Sequence, residues 1–282
     1  MWPAWTLLQR RRAPPTGRIE ILMTAAAAND DWRHYRAAPA DFEGRVIMVT
    51  GATAGIGRAV ARELVRSGAT VILHGRNEKA LEALYQELKA LGPEPSVAQI
   101  DLERAQGPQY QQLTDEIESR YGRLDGLLHN AAILGDRSPI EHYDIGLWQR
   151  VLLVDLTAPF ILTRCLLPLL RNSADASIVF ASSSVGRRGR AYWGAYSVAK
   201  AGVENLAEVL ADELENTPIR VNIINPGGTR TKMRTRAYPA ESPASLPTPE
   251  SVVPPYLYLL GGASRTIRGQ RFEVRDANAV QR

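Results

Sequence analysis

The run Val46-Ile47-Met48-Val49-Thr50-Gly51-Ala52-Thr53-Ala54-Gly55-Ile56-Gly57 decides the fold. Its first four residues are apolar without alternation, the pattern of a strand covered on both faces. Glycines at 51, 55 and 57 then allow a tight turn and close approach of another group to the backbone. A helical pattern from Ile56 to Ser67 follows, closed by Gly68. Strand, glycine-rich turn and helix together offer unpaired N–H groups and a positive dipole end to a pyrophosphate. The spacing differs from G-x-G-x-x-G, and turns are glycine-rich for structural reasons too, so this turn alone leaves function open.

Outward from that run, strands and helices alternate. Strands are expected at Thr70–His74, Ser96–Ile100, Leu124–His129, Ala176–Ser182 and Ile219–Ile224, with an edge strand at Arg268–Val274. Helices are expected at Glu78–Leu91, Tyr110–Tyr121 and Gly194–Glu215, with a short one at Val252–Leu260. A long helical stretch runs from Leu147 to Arg171, and Pro159 is expected to bend it. The alternation predicts one α/β domain with a parallel, doubly wound sheet of seven strands. Pro239 to Pro255 is rich in Pro and Ser and reads as a mobile lid or loop. Residues 23–44 read as a polar arm that Trp32 and Tyr35 anchor. The expected division is an N-terminal extension at 1–43, partly disordered, a domain at 44–275 and a tail at 276–282.

Composition excludes some classes. The 282 residues carry a formal charge of +4 and are 45% hydrophobic, an ordinary globular balance. No basic stripe interleaves with aromatics, so nucleic-acid binding is not expected. No run is expected to reach the length of a membrane span, and no metal site is read. The single Cys165 excludes an internal disulfide and points to a reducing compartment, read as the cytoplasm. Residues 1–22 have the wrong order for a secretory signal. Met23 is read as a second possible start.

The second strand bears on the cofactor. It ends His74-Gly75-Arg76-Asn77, without the acid that would bind a ribose 2′-hydroxyl. Arg76 suits a 2′-phosphate instead, so NADP(H) is expected over NAD(H). Asp101, ending the third strand, suits the adenine amino group or a turn.

Ser183 to Lys200 carries the chemistry. Tyr196 and Lys200 are four apart, on one helix face, in a chain with only four lysines. Arg187, Arg188 and Arg190 lie between Ser183 and Tyr196. They read as solvated loop or subunit-interface charge before an anion site. Trp193 reads equally as a pocket wall or as packing under the helix start.

Thr50-Gly51-x-x-x-Gly55-Ile56-Gly57, Asp101-Leu102, Asn130-Ala131-Ala132, Ser183, Tyr196-x-x-x-Lys200 and Asn225-Pro226-Gly227 occur in this order. Together they resemble the short-chain dehydrogenase/reductase family over about residues 44–275. The stretches around Ser183, Trp193 and Asn225 are similar to its YciK-like oxidoreductases. The resemblance implies a Rossmann fold of strand order 3-2-1-4-5-6-7 and a homodimer or homotetramer built on the long helices. It implies an NADP(H)-dependent oxidoreductase interconverting a small-molecule carbonyl and alcohol, with an NADP(H) sensor of little turnover as the alternative. By family spacing Ser183 is the catalytic serine, beside Ser182 and Ser184. Tyr196, Lys200 and, in the fourth position, Asp155 complete the catalytic set, and Lys200 also binds the cofactor ribose. The implied cofactor contacts are Gly51, Thr53, Gly55, Ile56, Gly57, Arg76, Asp101, Leu102, Asn130, Ala131, Tyr196, Lys200, Pro226, Gly227, Thr229 and Thr231. Two positions depart: Ala132 replaces a usual Gly, and Asp155 stands where the family's fourth catalytic residue is Asn. An ionised Asp155 cannot donate a hydrogen bond, and it is expected to raise the pKa of Lys200. Lys200 in turn is expected to lower that of Tyr196.

Overall fold

Alternate residues of the central strands feed two separate cores. Met48, Leu127, Ile178 and Phe180 face one side of the sheet, and Ile47, Val49, Leu128 and Val179 the other. This period of two explains why β1 (Val46–Val49), β4 (Gly126–His129) and β5 (Ala176–Ala181) are wholly buried without polar alternation. The structure, a computed structural model, describes residues 30–275. The expectations for residues 1–29 and 276–282 lie outside the described residues.

The remaining strands are β2 (Thr70–Gly75), β3 (Ser96–Gln99), β6 (Ile219–Asn225) and β7 (Arg271–Glu273). All pairings are parallel, and the order is β3-β2-β1-β4-β5-β6-β7. One face is covered by α3 (Gly107–Tyr121), α5 (Ala158–Arg171) and α7 (Gly194–Glu213). The other is covered by α1 (Gly55–Arg66), α2 (Glu78–Leu88) and α9 (Pro254–Leu260). This is the doubly wound Rossmann architecture read from the alternation. Local chemistry starts and stops the helices. Asn77 caps α2 by accepting from Ala80 N at 2.9 Å, and Gly122 ends α3 at φ 68°.

The long helix differs from its expected form. It comprises α4 (Ile145–Leu152), a π-helical turn at Leu153–Thr157, and α5. The irregularity therefore lies in the turn before Pro159. Proline has no N–H for the carbonyl four residues back, which is that of Asp155, and a wider turn accommodates the missing bond. The run also corrects the expectation about span length. Ile145–Arg171 is 27 residues with a mean hydropathy of 1.7 over its most apolar window, long and apolar enough by composition to cross a membrane. Its apolar residues Leu162, Leu166, Leu169 and Leu170 are buried in the sheet core, a sufficient reason for that composition.

The polar arm is anchored as expected. Trp32 meets Phe272 of β7 edge-on at 5.0 Å, and Tyr35 meets Tyr258 at 5.7 Å. The expected lid is a tethered segment. After α8 (Lys232–Ala237), Arg230 binds the carbonyls of Pro243 at 2.7 Å and Leu246 at 3.1 Å. Arg234 pairs with Glu241 at 2.5 Å.

Candidate active site

The carboxyl ends of β1 and β4 are stitched into one turn. Thr50 Oγ1 accepts from the N–H groups of Asn130 at 2.9 Å and Ala131 at 3.0 Å. Asn130 Nδ2 donates back to Thr50 O at 3.1 Å. Glycine is sterically required here: a Cβ on Gly51 would lie 2.9 Å from Ala131 Cα, and one on Gly57 would lie 2.4 Å from Gly51 O. Gly51 and Gly55 also have φ of +66° and +55°, open to glycine and strained for other residues. Thr53 reaches across to the end of β2, where its methyl group packs at Gly75. Arg76 follows on that edge, exposed, with no ion pair or side-chain hydrogen bond among the described residues. Asp101 Oδ1 accepts from Glu103 N at 3.1 Å, which makes it a turn residue, and Leu102 is buried beside it.

Past β6, Gly227 turns with φ +71° and donates its N–H to Asn225 Oδ1 at 3.0 Å. Thr231 caps α8 by accepting from Arg234 N at 3.2 Å. Ile56, Pro226, Gly227, Thr229 and Thr231 share one cleft with Ser183 and Tyr196. The structure thus joins residues from the ends of β1, β5 and β6, while Arg76, Asp101 and Leu102 lie along the same sheet edge outside the cleft lining.

Ser183 opens α6 (Ser184–Arg187) in extended conformation, φ −152° and ψ 159°. Ser182 points elsewhere, donating to Glu204, so burial and pairing separate the neighbouring serines. Tyr196 and Lys200 occupy the first turns of α7, both buried. Lys200 Nζ donates to Ala181 O at 3.0 Å and lies 5.6 Å from the Tyr196 ring centroid. Asp155 is 1% exposed. Its Oδ1 accepts from Ile133 N at 2.8 Å, and its buried Oδ2 has no hydrogen-bond partner.

Electrostatics here differ from expectation in two places. Burial lowers the pKa of Lys200, outweighing the opposing pull of Asp155 and Glu204. Burial, then the charge of Asp155, raises that of Tyr196, against the Ser183 hydroxyl. The expected upward shift of Lys200 and downward shift of Tyr196 are both corrected: burial of Lys200 outweighs the nearby carboxylates, and at Tyr196 burial and the Asp155 charge act together. Asp155 itself is pushed up to about 7 by burial, against Lys200 and the Ile133 N–H.

Several contributors were not legible in the sequence. Glu204 holds Ser182 and pairs with Arg271, which also donates to Ser183 O at 3.4 Å and pairs with Glu273, and Glu273 accepts from Asn225 at 2.6 Å. Glu204 follows Lys200 by one helical turn, and that spacing was its available signal. Leu134, Met233 and Tyr238 line the cleft with Trp193. Leu134 follows β4, and Met233 and Tyr238 belong to α8 and its end about 100 residues on, so no local pattern joins them.

A glycine-cradled turn on a parallel sheet, with a buried Tyr–Lys pair in the adjoining cleft, defines a dinucleotide-dependent oxidoreductase. Residues 45–242 match the short chain dehydrogenase family, and the chain belongs to that family. It is 46% identical over 241 residues to the oxidoreductase YciK of Escherichia coli K12, covering 85% of this chain and 95% of that one. A short chain dehydrogenase from Escherichia coli CFT073, solved with NADPH, superposes with a TM-score of 0.82 at 47% identity, covering 84% and 99% of the two chains. One from Shigella flexneri 2a, solved with NADP, gives 0.81 at 46%, covering 83% and 98%. The protein is accordingly an oxidoreductase acting on alcohol or carbonyl groups.

Proposed function

We propose that the chain is an NADP(H)-dependent enzyme that reduces a carbonyl, or oxidises the corresponding alcohol, with Ser183, Tyr196 and Lys200 as its catalytic set. The observation that carries this is the convergence of Ser183 and Tyr196 with the Gly227 turn in one cleft, above buried Lys200. The cofactor fits the residues present: Ile56, Pro226, Gly227, Thr229 and Thr231 line the cleft that holds Ser183 and Tyr196, and no carboxylate lines it to repel a phosphate. In this reading Gly51, Thr53, Gly55, Ile56, Gly57, Asn130 and Ala131 surround the pyrophosphate and ribose. Asp101 and Leu102 border the adenine. Pro226, Gly227, Thr229 and Thr231 hold the nicotinamide end.

When bound, NADPH supplies a hydride to the carbonyl carbon. Tyr196 donates its phenolic proton to the carbonyl oxygen, and Ser183 donates a hydrogen bond to the same atom. Lys200 orients the ribose. Asp155 receives the Ile133 N–H and so ties the long helix to the turn after β4. The sensor alternative has no observation of its own in its favour. Exposed Phe160, Val198 and Val209 on α5 and α7 support a homo-oligomer built on those helices. We also assign residues 44–275 as the catalytic domain, in the cytoplasm.

Arg76, without an ion pair or side-chain hydrogen bond among the described residues and with no acid on β2, supports NADP(H) over NAD(H). Two relatives solved with that cofactor support it also. The test is fluorescence titration with NADPH and NADH. Arg76→Ala is expected to weaken NADPH about tenfold, the size of one charge-assisted pair, and leave NADH unchanged. Equal loss for both would move the 2′-phosphate contact elsewhere.

A further inference from the structure

The cleft lining contains three arginines, Arg190, Arg234 and Arg275, and no Asp or Glu. Their situations differ. Arg234 is neutralised by Glu241 and lies 3.8 Å over the Tyr238 ring. Arg275 donates to Gly228 O at 2.8 Å and packs on Gly227, at the cofactor end. Arg190 is exposed, and its side chain has no ion pair or hydrogen bond among the described residues. It is the cation of the cleft that neither a carboxylate nor the cofactor side accounts for. Arg187 and Arg188, exposed on the same loop, add to the positive potential at this mouth.

The loop presenting Arg190 is not slack. Trp193 N donates to Arg190 O at 3.3 Å, and between them Tyr192 has φ +71°. It is the one non-glycine with positive φ among the described residues, and such strain persists only where the surroundings hold it. This turn sets Trp193 into the wall while Arg190 stays at the rim. Trp193 and Tyr238 lie side by side, ring centroids 5.8 Å apart, and Arg137 stiffens the pair: its guanidinium lies 5.0 Å from both ring centroids and donates to Ala237 O at 2.6 Å. With Leu134 and Met233, these rings make an apolar slot beside Tyr196. An apolar slot with one free arginine at its edge selects a flat apolar body that carries an acid.

We propose that the substrate is a carboxylate-bearing carbonyl compound with an apolar, ring-sized body. Arg190 pairs with the carboxylate, and Trp193 and Tyr238 hold the body so that the carbonyl oxygen reaches Tyr196 and Ser183. The loop arginine is thereby a specificity residue, not solvated charge alone. The inference rests on the cleft being the site of reduction. The acid takes no part in bond changes: hydride from NADPH enters the carbonyl carbon, and the Tyr196 proton enters the oxygen.

Matched pairs test it: 4-acetylbenzoate and benzoylformate, each against its methyl ester, with the full chain and NADPH. Turnover is followed by NADPH oxidation, and binding to the NADP-saturated protein by calorimetry. The acids are expected to bind and react at least about tenfold better than their esters, through KM. Arg190→Ala is expected to erase that preference, leaving the esters and NADPH affinity unchanged, while Arg188→Ala preserves it. Equal binding of acid and ester, no binding of either acid, or equal loss of both in Arg190→Ala overturns the proposal. NADPH titration separates the two readings. If NADPH binds and acids gain nothing, the substrate inference alone fails. If NADPH does not bind, the assignment of the cleft fails.

Discussion

The two ends of the parallel sheet treat buried charge in opposite ways. At the amino ends of β1, β4, β5 and β6, Arg45, Asp125, Asp175 and Arg220 form a nearly closed network. Arg220 is 1% exposed, yet it pairs with Asp175 and donates to Gly261 O at 2.6 Å and Ser264 Oγ at 3.2 Å. Arg45 binds Asp175 at 3.0 Å, and Asp125 receives Val46 N at 2.8 Å and the Ser173 hydroxyl at 2.6 Å. Burial pushes the Asp175 carboxyl up, but Arg220 and Arg45 outweigh it and hold it below the usual range. At the carboxyl ends the balance reverses. Asp155 keeps an oxygen without a partner, and burial decides the direction of Lys200 and Tyr196. Paired charges hold the strands in place. Unpaired ones mark where the protein gives up local stability for chemistry.

The sharpest break in that comparison is Tyr196→Phe. It is expected to lower kcat by about 10⁴-fold while NADPH affinity, read by fluorescence, stays constant. Unchanged turnover would remove the phenol from the mechanism. Next in size, Asp175→Ala leaves Arg220 buried without its carboxylate. Urea unfolding should show a loss of about 3–5 kcal/mol, with turnover of the remaining folded protein intact. A large loss of kcat there would make the two ends one functional unit.

The smallest effect sharpens the unpaired end. Asp155 titrates near 7 in the fold against 3.8 ordinarily, so the folded state holds its proton more tightly. Its contribution is therefore fully present below about pH 4 and is lost as pH rises toward 7. His129 runs the other way. Burial lowers it to about 3, so its contribution is present above about 6.5 and is lost as pH falls from there toward about 3. Asp155→Asn should flatten only the first limb. It should gain about 1–3 kcal/mol at neutral to alkaline pH, little below about pH 4, and keep turnover. An unchanged pH–stability curve would show that Asp155 is not desolvated.

Particular residues show how far the sequence could be read. The turn at Gly51–Gly57 and the Tyr196–Lys200 spacing were legible because backbone sterics and helical period act over a few neighbouring positions. The strands were legible because both their faces are buried, which leaves unbroken apolar runs. Pro159 was visible, but its effect fell one turn earlier, at Asp155, because the missing N–H acts on a carbonyl four residues back. Arg190 was visible as loop charge. Its place at the rim came only with Trp193, Tyr238 and Met233 around it.

What the sequence by itself determined is the order of elements, the glycine turn and the four-residue spacing of Tyr196 and Lys200. Each is a local pattern or a short spacing. Only the tertiary structure decided the rest: the sign of the Lys200 and Tyr196 shifts, the Glu204–Arg271 support, and the pairing of Arg220 with Asp175 across 45 residues. Those depend on how deeply a group is buried and which distant chain covers it. Desolvation and charge pairing act through space, and no spacing along the chain records them.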